Sequence, residues 1–112
     1  MNLYDETVEC LAEHKKSLDD IVFVAGNGHE ITRNNFVEIA KAYDYDNGYG
    51  SNEVPIDLIV VGIDWWIERH EYDGSEWWEY KALPARPDTV RKVAGFESWD
   101  RYIYPEGAES CQ

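Results

Sequence analysis

The chain has 112 residues, of which 44% are hydrophobic, and it carries 23 acidic against 10 basic side chains, a net charge of −13. This length and apolar content are typical of one domain with one modest core, and they argue against wholesale disorder. A charge this negative repels nucleic-acid phosphates and anionic membranes and favours a basic protein partner, although solubility alone is the alternative reason for it.

The first predicted element is an amphipathic helix over residues 2–17. Asn2 has the residue type of an N-cap, and Asp5 stands three residues on. Lys15 and Lys16 fall in the predicted last turn, where the helix dipole favours cations. The apolar stripe of this helix is predicted to comprise Tyr4, Val8, Leu11 and Ala12.

The second predicted element is a β-hairpin over residues 21–31, IVFVAGNGHEI. Residues 21–25 are rich in the β-branched and aromatic types that favour strands. The turn is predicted at Asn27-Gly28, since both residue types accept the positive φ angles of the favoured two-residue turn.

A second helix follows, for which Thr32 is the predicted N-cap. Ile31 precedes it and can pack against Phe36 as a hydrophobic staple. The spacing i, i+3, i+4, i+7 predicts that one helix face buries Phe36, Ile39, Ala40 and Tyr43. We expect this helix to end before the glycines of residues 43–50, YDYDNGYG.

A continuous apolar run at residues 57–62, DLIVVG, predicts a strand that is buried on both faces or central in the sheet. A long hairpin follows over residues 65–83, and Pro84 and Pro87 end it. Residues 89–93, TVRKV, are predicted to add a short edge strand.

The element order α-β-β-α-β-β-β predicts the fold class. It is typical of an α+β domain in which two helices pack on a mainly antiparallel sheet of about five strands. We expect residues 1–105 to form this single domain and residues 106–112 to form a flexible tail.

The hairpin at residues 65–80, WWIERHEYDGSEWWEY, has two candidate registers. If Asp73-Gly74 is a two-residue turn, Arg69 lies opposite Trp78 and an apolar face can pack on the helices. A three-residue turn with a bulge at the glycine would shift the pairing by one residue. We predict the first register because its apolar face is cleaner, although it brings two glutamates face to face.

The second face of this hairpin combines indoles with carboxylates. In the predicted register it carries Trp66, Glu68, His70, Tyr72, Trp77, Glu79 and Lys81. These side chains form either an exposed aromatic strip, which is typical of an interaction site, or a layer buried beneath the aromatic segment 96–105, FESWDRYIYP, which is expected to pack back onto the domain. The predicted partner-binding residues are Trp66, Glu68, Glu71, Asp73, Glu76, Trp77 and Glu79, together with Asp44 and Asp46.

The sequence contains no complete metal-binding motif. Residues 44–53, DYDNGYGSNE, begin like a calcium loop, but Tyr49 stands where that loop requires glycine. Cys10 and Cys111 lack the spacing of zinc ligands. The alternative to a solvated turn is a looser cation site that would comprise Asp44, Asp46 and Glu53. We predict no metal and no cofactor.

Catalytic signatures are also weak. Glu68 and Glu79 beside two indoles have the composition of a small catalytic or glycan-binding site, which is one alternative function. The three histidines have no metal-ligand spacing, and no Ser or Cys stands in a recognisable nucleophile context. We therefore expect a protein that is not an enzyme.

The N-terminal segment, MNLYDETVEC, is acidic, whereas a secretory signal is basic and then apolar. No apolar run approaches the roughly 18 residues that span a bilayer. We therefore expect a cytoplasmic protein with no membrane partner.

Three segments of the chain carry a resemblance: YDNGYG at 45–50, DLIVVG at 57–62 and WWIERHEYDGSEWWEYK at 65–81. Over residues 20–84 the chain is similar to a group of small acidic proteins from phages and mobile elements of Gram-positive bacteria. The resemblance implies a phage context, hence a host bacterial cell, and it supplies no catalytic residue. In general character the chain resembles the inhibitors that phages direct against host nucleases, anti-CRISPR proteins included.

These observations together predict an acidic inhibitor of a host nucleic-acid-processing defence enzyme. Carboxylates on alternate strand positions stand about 6.6–6.8 Å apart, so that a row of them would partly mimic nucleic acid and attract a Lys/Arg groove. The predicted partner is a basic host protein such as a nuclease or CRISPR effector, with no direct binding of nucleic acid. An immunity-type protein that neutralises a basic toxin would use the same chemistry, and a homodimer would use the same Trp-bearing face.

Overall fold

The computed structural model describes residues 1–46 and 53–106, and they form the predicted α+β fold. Within these residues no helix has the length and apolar content needed to cross a membrane. The helices are α1 (Leu3–Glu13) and α2 (Arg33–Lys41), and a short 3-10 helix covers Leu18–Asp20. The strands are β1 (Phe23–Gly26), β2 (His29–Ile31), β3 (Ile59–Val61), β4 (Trp65–Tyr72), β5 (Ser75–Ala82), β6 (Gly95–Ser98) and β7 (Arg101–Ile103).

Five strands form one antiparallel sheet in the order β2-β1-β3-β4-β5, and β6 and β7 form a separate two-stranded sheet. After α2 the chain returns to place β3 on the free side of β1, so that β3 is central, as the apolar run predicted. Val60 of β3 is fully buried, whereas Ile59 and Val61 on its other face are half-buried. The two edges of the sheet are β2 and β5.

Both helices pack on one face of this sheet. Helix α1 lies beside β5, and α2 lies beside β1. The registers place Val24, Val60 and Ile67 in one cross-strand row on that face, and all three are fully buried. The helices contribute Leu3, Leu11, Phe36 and Ala40 to the same core.

The predicted N-cap of α1 is confirmed, because the side chain of Asn2 accepts a hydrogen bond from the backbone N–H of Asp5 at 3.0 Å. The helix ends earlier than predicted, at Glu13. Lys15 has a φ angle of +61°, so the helix cannot continue through it, and both Lys15 and Lys16 lie beyond the last turn instead of within it.

The apolar stripe of α1 differs from the prediction. The buried residues are Leu3, Thr7 and Leu11, whereas Val8 and Ala12 are exposed. The stripe was predicted wrongly because it contains Thr7, whose hydroxyl is hydrogen-bonded inside the core. A prediction from hydropathy periodicity places a polar residue such as this one on the solvent side of the helix.

In α2, the predicted N-cap is confirmed, since the Thr32 side chain accepts a hydrogen bond from the Asn35 N–H at 3.1 Å. Phe36 and Ala40 are buried and Tyr43 is half-buried, but Ile39 is 52% exposed. The buried face of α2 is therefore narrower than the i, i+3, i+4, i+7 pattern predicted.

Both predicted two-residue turns are confirmed. Asn27 and Gly28 have φ angles of +53° and +80°, and Asp73 and Gly74 have φ angles of +53° and +87°. These pairs of positive angles are those of a type I′ turn. The second turn fixes the first of the two candidate registers, in which Arg69 lies opposite Trp78.

The C-terminal segment departs from the prediction. Residues 89–93 form no strand and are exposed, so the predicted edge strand is wrong. The aromatic residues beyond them pair with each other in the β6–β7 hairpin, where Phe96 and Tyr102 meet edge to face at 5.6 Å, and Trp99 at its turn is fully exposed. The prediction that this segment packs back onto the domain is therefore also wrong. Residues 107–112 of the predicted tail lie outside the residues that the structure describes.

Candidate functional site

The sheet has one face without helices, which we call the open face. Cross-strand pairing assigns to it Phe23, Ala25, Glu30, Ile59, Val61, Trp66, Glu68, His70, Tyr72, Ser75, Trp77, Glu79 and Lys81. Trp66 and His70 are half-buried, whereas Tyr72 and Trp77 are 77% and 36% exposed. Because residues 96–104 are themselves exposed or half-exposed in their own hairpin, they do not bury these indoles. The open face is thus an aromatic and anionic surface in contact with water.

The carboxylate of Glu68 is held by donors from its own strand and from β5. Trp66 donates its indole N–H to Oε1 at 2.7 Å, and a ring nitrogen of His70 lies 2.7 Å from Oε2. The Nζ of Lys81 stands 3.5 Å from the same oxygen. Hydrogen bonds from Trp66 and then from His70 lower the pKa of Glu68, so that this side chain stays ionised.

The carboxylate of Glu79 repeats this arrangement on β5. Trp77 donates its indole N–H to Oε2 at 2.8 Å. In both strands the donor stands two residues before the acceptor, because alternate residues share one face of a strand. The sequence signal for this feature is a Trp-x-Glu pattern that occurs on both arms of one hairpin.

The two held carboxylates stand directly opposite each other, since Glu68 pairs with Glu79 in the register of β4 and β5. Facing like charges on neighbouring strands destabilise a sheet unless nearby donors offset the repulsion. Here two indoles, a histidine and a lysine surround the pair. The result is a fixed anionic site with aromatic surface on both sides.

The hairpin is anchored to α1 by a buried ion-pair network centred on Arg69, whose side chain is 0% exposed. Its guanidinium donates to Glu6 at 3.1 Å, to Glu76 at 2.9 Å and to the hydroxyl oxygen of Tyr45 at 3.2 Å. The guanidinium carbon also lies 4.8 Å from the ring centroid of Trp78. Burial lowers the pKa of Arg69, but Tyr45, Glu6 and Glu76 together raise it above its ordinary value.

Glu76 was predicted to bind a partner, and the structure places it elsewhere. It is only 2% exposed and lies on the helix side of the sheet. Its carboxylate pairs with Arg69 and accepts hydrogen bonds from the backbone N–H groups of Glu53 and Val54 at 2.8 and 3.2 Å. Glu76 therefore fixes the loop before β3 and is not accessible to a partner.

The other predicted site residues lie in three places. Trp66, Glu68, Trp77 and Glu79 share the open face. Glu71 is exposed on the helix side, opposite Glu76, and Asp73 stands at the hairpin turn. Asp44 accepts a hydrogen bond from the Asn2 side chain at 2.8 Å, and Asp46 is exposed in the same loop after α2. The predicted set is thus not one contiguous surface.

No family model matches the chain. Searches of curated proteins and of solved structures also give no match. The similarity to small acidic phage proteins therefore stays a prediction.

The lowered pKa of Glu68 does not suit one of the two roles in a glycosidase site, that of the general acid. A general acid for glycoside hydrolysis needs a raised pKa, whereas the pKa of Glu68 is lowered. Residues 1–46 and 53–106 contain no group of three side chains able to hold a metal ion. Glu53 of the considered cation site instead accepts a hydrogen bond from the backbone N–H of Asp46 at 3.3 Å. What the open face can do is bind cationic groups beside an aromatic surface.

Proposed function

We propose that this chain is a phage-type acidic protein that binds and inhibits a host nucleic-acid-processing enzyme of bacterial defence. One observation carries the proposal: Glu68 and Glu79 face each other on the open face, each half-buried and each held by an indole N–H. An enzyme that handles nucleic acid presents Lys and Arg side chains arranged for phosphates, and these would meet preorganised carboxylates on the open face.

The charge of the whole chain supports fast association with such a surface. A net charge of −13 on 112 residues creates a long-range field that steers a basic partner and repels nucleic acid itself. This attraction is screened by salt, so that binding of the partner should weaken steeply as ionic strength rises.

The aromatic side chains supply the part of the affinity that charge does not. Buried tryptophan side chains are frequent anchors at protein interfaces, and each brings about 150–250 Å² of contact surface. Trp77 and Tyr72 are exposed on the same face as the two carboxylates. A partner that desolvates them would gain affinity that persists at moderate salt.

The experiment is a pull-down from bacterial lysate at increasing salt, followed by a competition assay with the nucleic-acid substrate of the captured enzyme. The Glu68→Gln/Glu79→Gln variant should lose most of the capture, and Trp77→Ala should weaken it at every salt concentration. Glu38→Gln, which removes one carboxylate, is the control for the loss of surface charge, since Glu38 is exposed on α2, away from the open face. Capture that is equal for all variants, or a captured protein that still acts on its nucleic acid, would contradict the proposal.

A further inference from the structure

Strand β5 is an edge of the sheet with outward-facing backbone groups. Just beyond the β4–β5 ladder, the backbone N–H of Leu83 donates to the backbone oxygen of Asp64 at 2.8 Å. In an antiparallel ladder, hydrogen-bonded pairs alternate with pairs that are not hydrogen-bonded, so the register makes every second pair, counted from this one, a hydrogen-bonded pair. The backbone N–H and C=O groups of Trp78, Tyr80 and Ala82 therefore point away from β4. The strand is eight residues long, with no proline and no bulge to block the addition of another strand.

Acidic side chains flank this edge on both faces of the sheet. On the helix side, α1 brings Glu6, Glu9 and Glu13 to a groove of about 170 Å³ at the β5 edge, which Cys10, Trp77 and Trp78 also line. On the open face, Glu79 of β5 carries the second anionic group. A strand added here would meet negative charge above and below its own plane.

The chain itself contains a segment with the matching properties. Residues 84–94 hold three basic side chains against one acidic side chain, a net charge of +2 in a protein of net charge −13. Within them, residues 89–93, TVRKV, are exposed and irregular, and Val90 is 83% exposed. In an extended conformation Arg91 and Lys92 point to opposite faces, so either orientation of this strand on β5 places one cation on each acidic side.

The rest of the C-terminal region is also largely exposed. We call residues 83–106 the arm. Its two-stranded hairpin exposes Phe96 and all of Trp99, and an isolated two-stranded hairpin is marginally stable in water. The principal-axis extents are 62 × 32 × 27 Å. An arm that is exposed along its length in this way is placed to reach another molecule.

We propose that the arm of one chain docks on a second copy, with residues 89–93 adding as a strand to the β5 edge of the partner copy. The exchange is reciprocal, so it forms a closed twofold dimer. Backbone hydrogen bonds at β5 provide affinity, and the cations of the arm against Glu9, Glu13 and Glu79 provide the register. The added strand occupies an edge, and of the open-face carboxylates this interface uses Glu79.

Light scattering after size-exclusion chromatography of the full chain gives the first test. We expect a mass of twice 13.0 kDa that falls to the monomer mass on dilution. In the added strand, the N–H groups of residues 90 and 93 point to opposite edges, so that one of the two faces β5 of the partner copy. Of the variants Val90→Pro and Val93→Pro, the one that removes this N–H should raise the dissociation constant about tenfold or more. Val90→Ser and Val93→Ser keep the N–H groups and should dimerise like the parent chain. A monomer at every concentration, or dimers unaffected by both prolines, would overturn the proposal.

Charge exchange gives the second test. Glu9→Lys/Glu13→Lys and Arg91→Glu/Lys92→Glu should each be monomeric, and mixing the two variants should restore a heterodimer through one of its two contacts. If the mixture stays monomeric while each variant remains folded by circular dichroism, the acidic edge is not the docking surface. If the arm instead protects β5 of its own chain from amide exchange in a monomer, docking is intramolecular and the second-copy proposal fails.

Discussion

Glu68 and Glu79 stand directly opposite each other on neighbouring strands, and each accepts a hydrogen bond from an indole two residues earlier in its own strand. A facing pair of glutamates usually counts against a hairpin register. Here the register is fixed by the Asp73-Gly74 turn and by the burial of the opposite face, so that the repulsion is tolerated and locally offset. The remaining repulsion lowers the stability of the hairpin, and the facing pair concentrates negative charge at one place on the open face.

The indole of Trp66 should control the ionisation of Glu68. Trp66→Phe removes the hydrogen bond that contributes most to the lowered pKa, so the pKa of Glu68 should rise towards 4.5. A lowered pKa in the folded state stabilises the fold above the unfolded-state pKa, and this contribution is lost as pH falls through the folded-state pKa. The parent chain should therefore lose more stability than Trp66→Phe when the pH is lowered below 4.5. Carboxyl NMR titration checks the pKa directly, and an unchanged Glu68 titration would contradict the assigned role of the indole.

Arg69 should be required for the stability of the fold. Arg69→Met leaves Glu6 and Glu76 without their shared cation in a buried position, which typically costs about 3–5 kcal/mol. Lys81→Met is the control, since that lysine is 43% exposed and lies 3.5 Å from Glu68, and such surface pairs contribute less than about 1 kcal/mol. Urea denaturation measures both. Equal free energies of unfolding for the two variants would show that the Arg69 network does not stabilise the domain.

Thr7 should behave as a core residue in spite of its polarity. Its hydroxyl donates to the backbone oxygen of Leu3 at 2.7 Å and accepts from the indole N–H of Trp78 at 2.9 Å. Thr7→Val keeps the shape but leaves the buried indole N–H without a partner, which should destabilise the fold by about 1–3 kcal/mol. Thr7→Ser retains the hydroxyl and should cost less. A valine variant as stable as the serine variant in urea denaturation would contradict this role.

Local chemistry in the sequence predicted the parts of the fold that depend on near neighbours. The N-caps Asn2 and Thr32 and the turn Asp73-Gly74 are each specified within three residues. By contrast, Thr7 meets Trp78 across 71 positions, so no local pattern reveals that it is buried. The partners Glu6 and Tyr45 of Arg69 are likewise distant in the sequence. The predicted register placed Arg69 on the apolar face of the hairpin but could not identify these partners.

The candidate site could be predicted only in part for a related reason. Alternation and the turn type correctly assigned Trp66, Glu68, Trp77 and Glu79 to one face. Counting carboxylates also included Glu76, because composition does not distinguish a solvated acid from one that is buried against a cation. In the C-terminal region, the same aromatic residues suit local pairing and packing on the sheet equally well, and only the structure separates these outcomes.

Gly62 should be intolerant of a side chain, because it packs against Trp65. A Cβ atom at this position would lie 2.0–2.5 Å from three ring atoms of Trp65, well within the 3.0 Å that real Cβ atoms essentially never approach. Since Trp65 is buried in the core, its indole would have to move, and we expect Gly62→Ala to destabilise the fold by about 1–3 kcal/mol. Gly26→Ala is the matched control, since a Cβ there would have ordinary contacts of 3.7 Å with Leu58. Urea denaturation and the near-ultraviolet circular dichroism of the tryptophans measure the two effects. If Gly62→Ala unfolds at the same urea concentration as Gly26→Ala and keeps the parent spectrum, then Trp65 is not packed against this glycine.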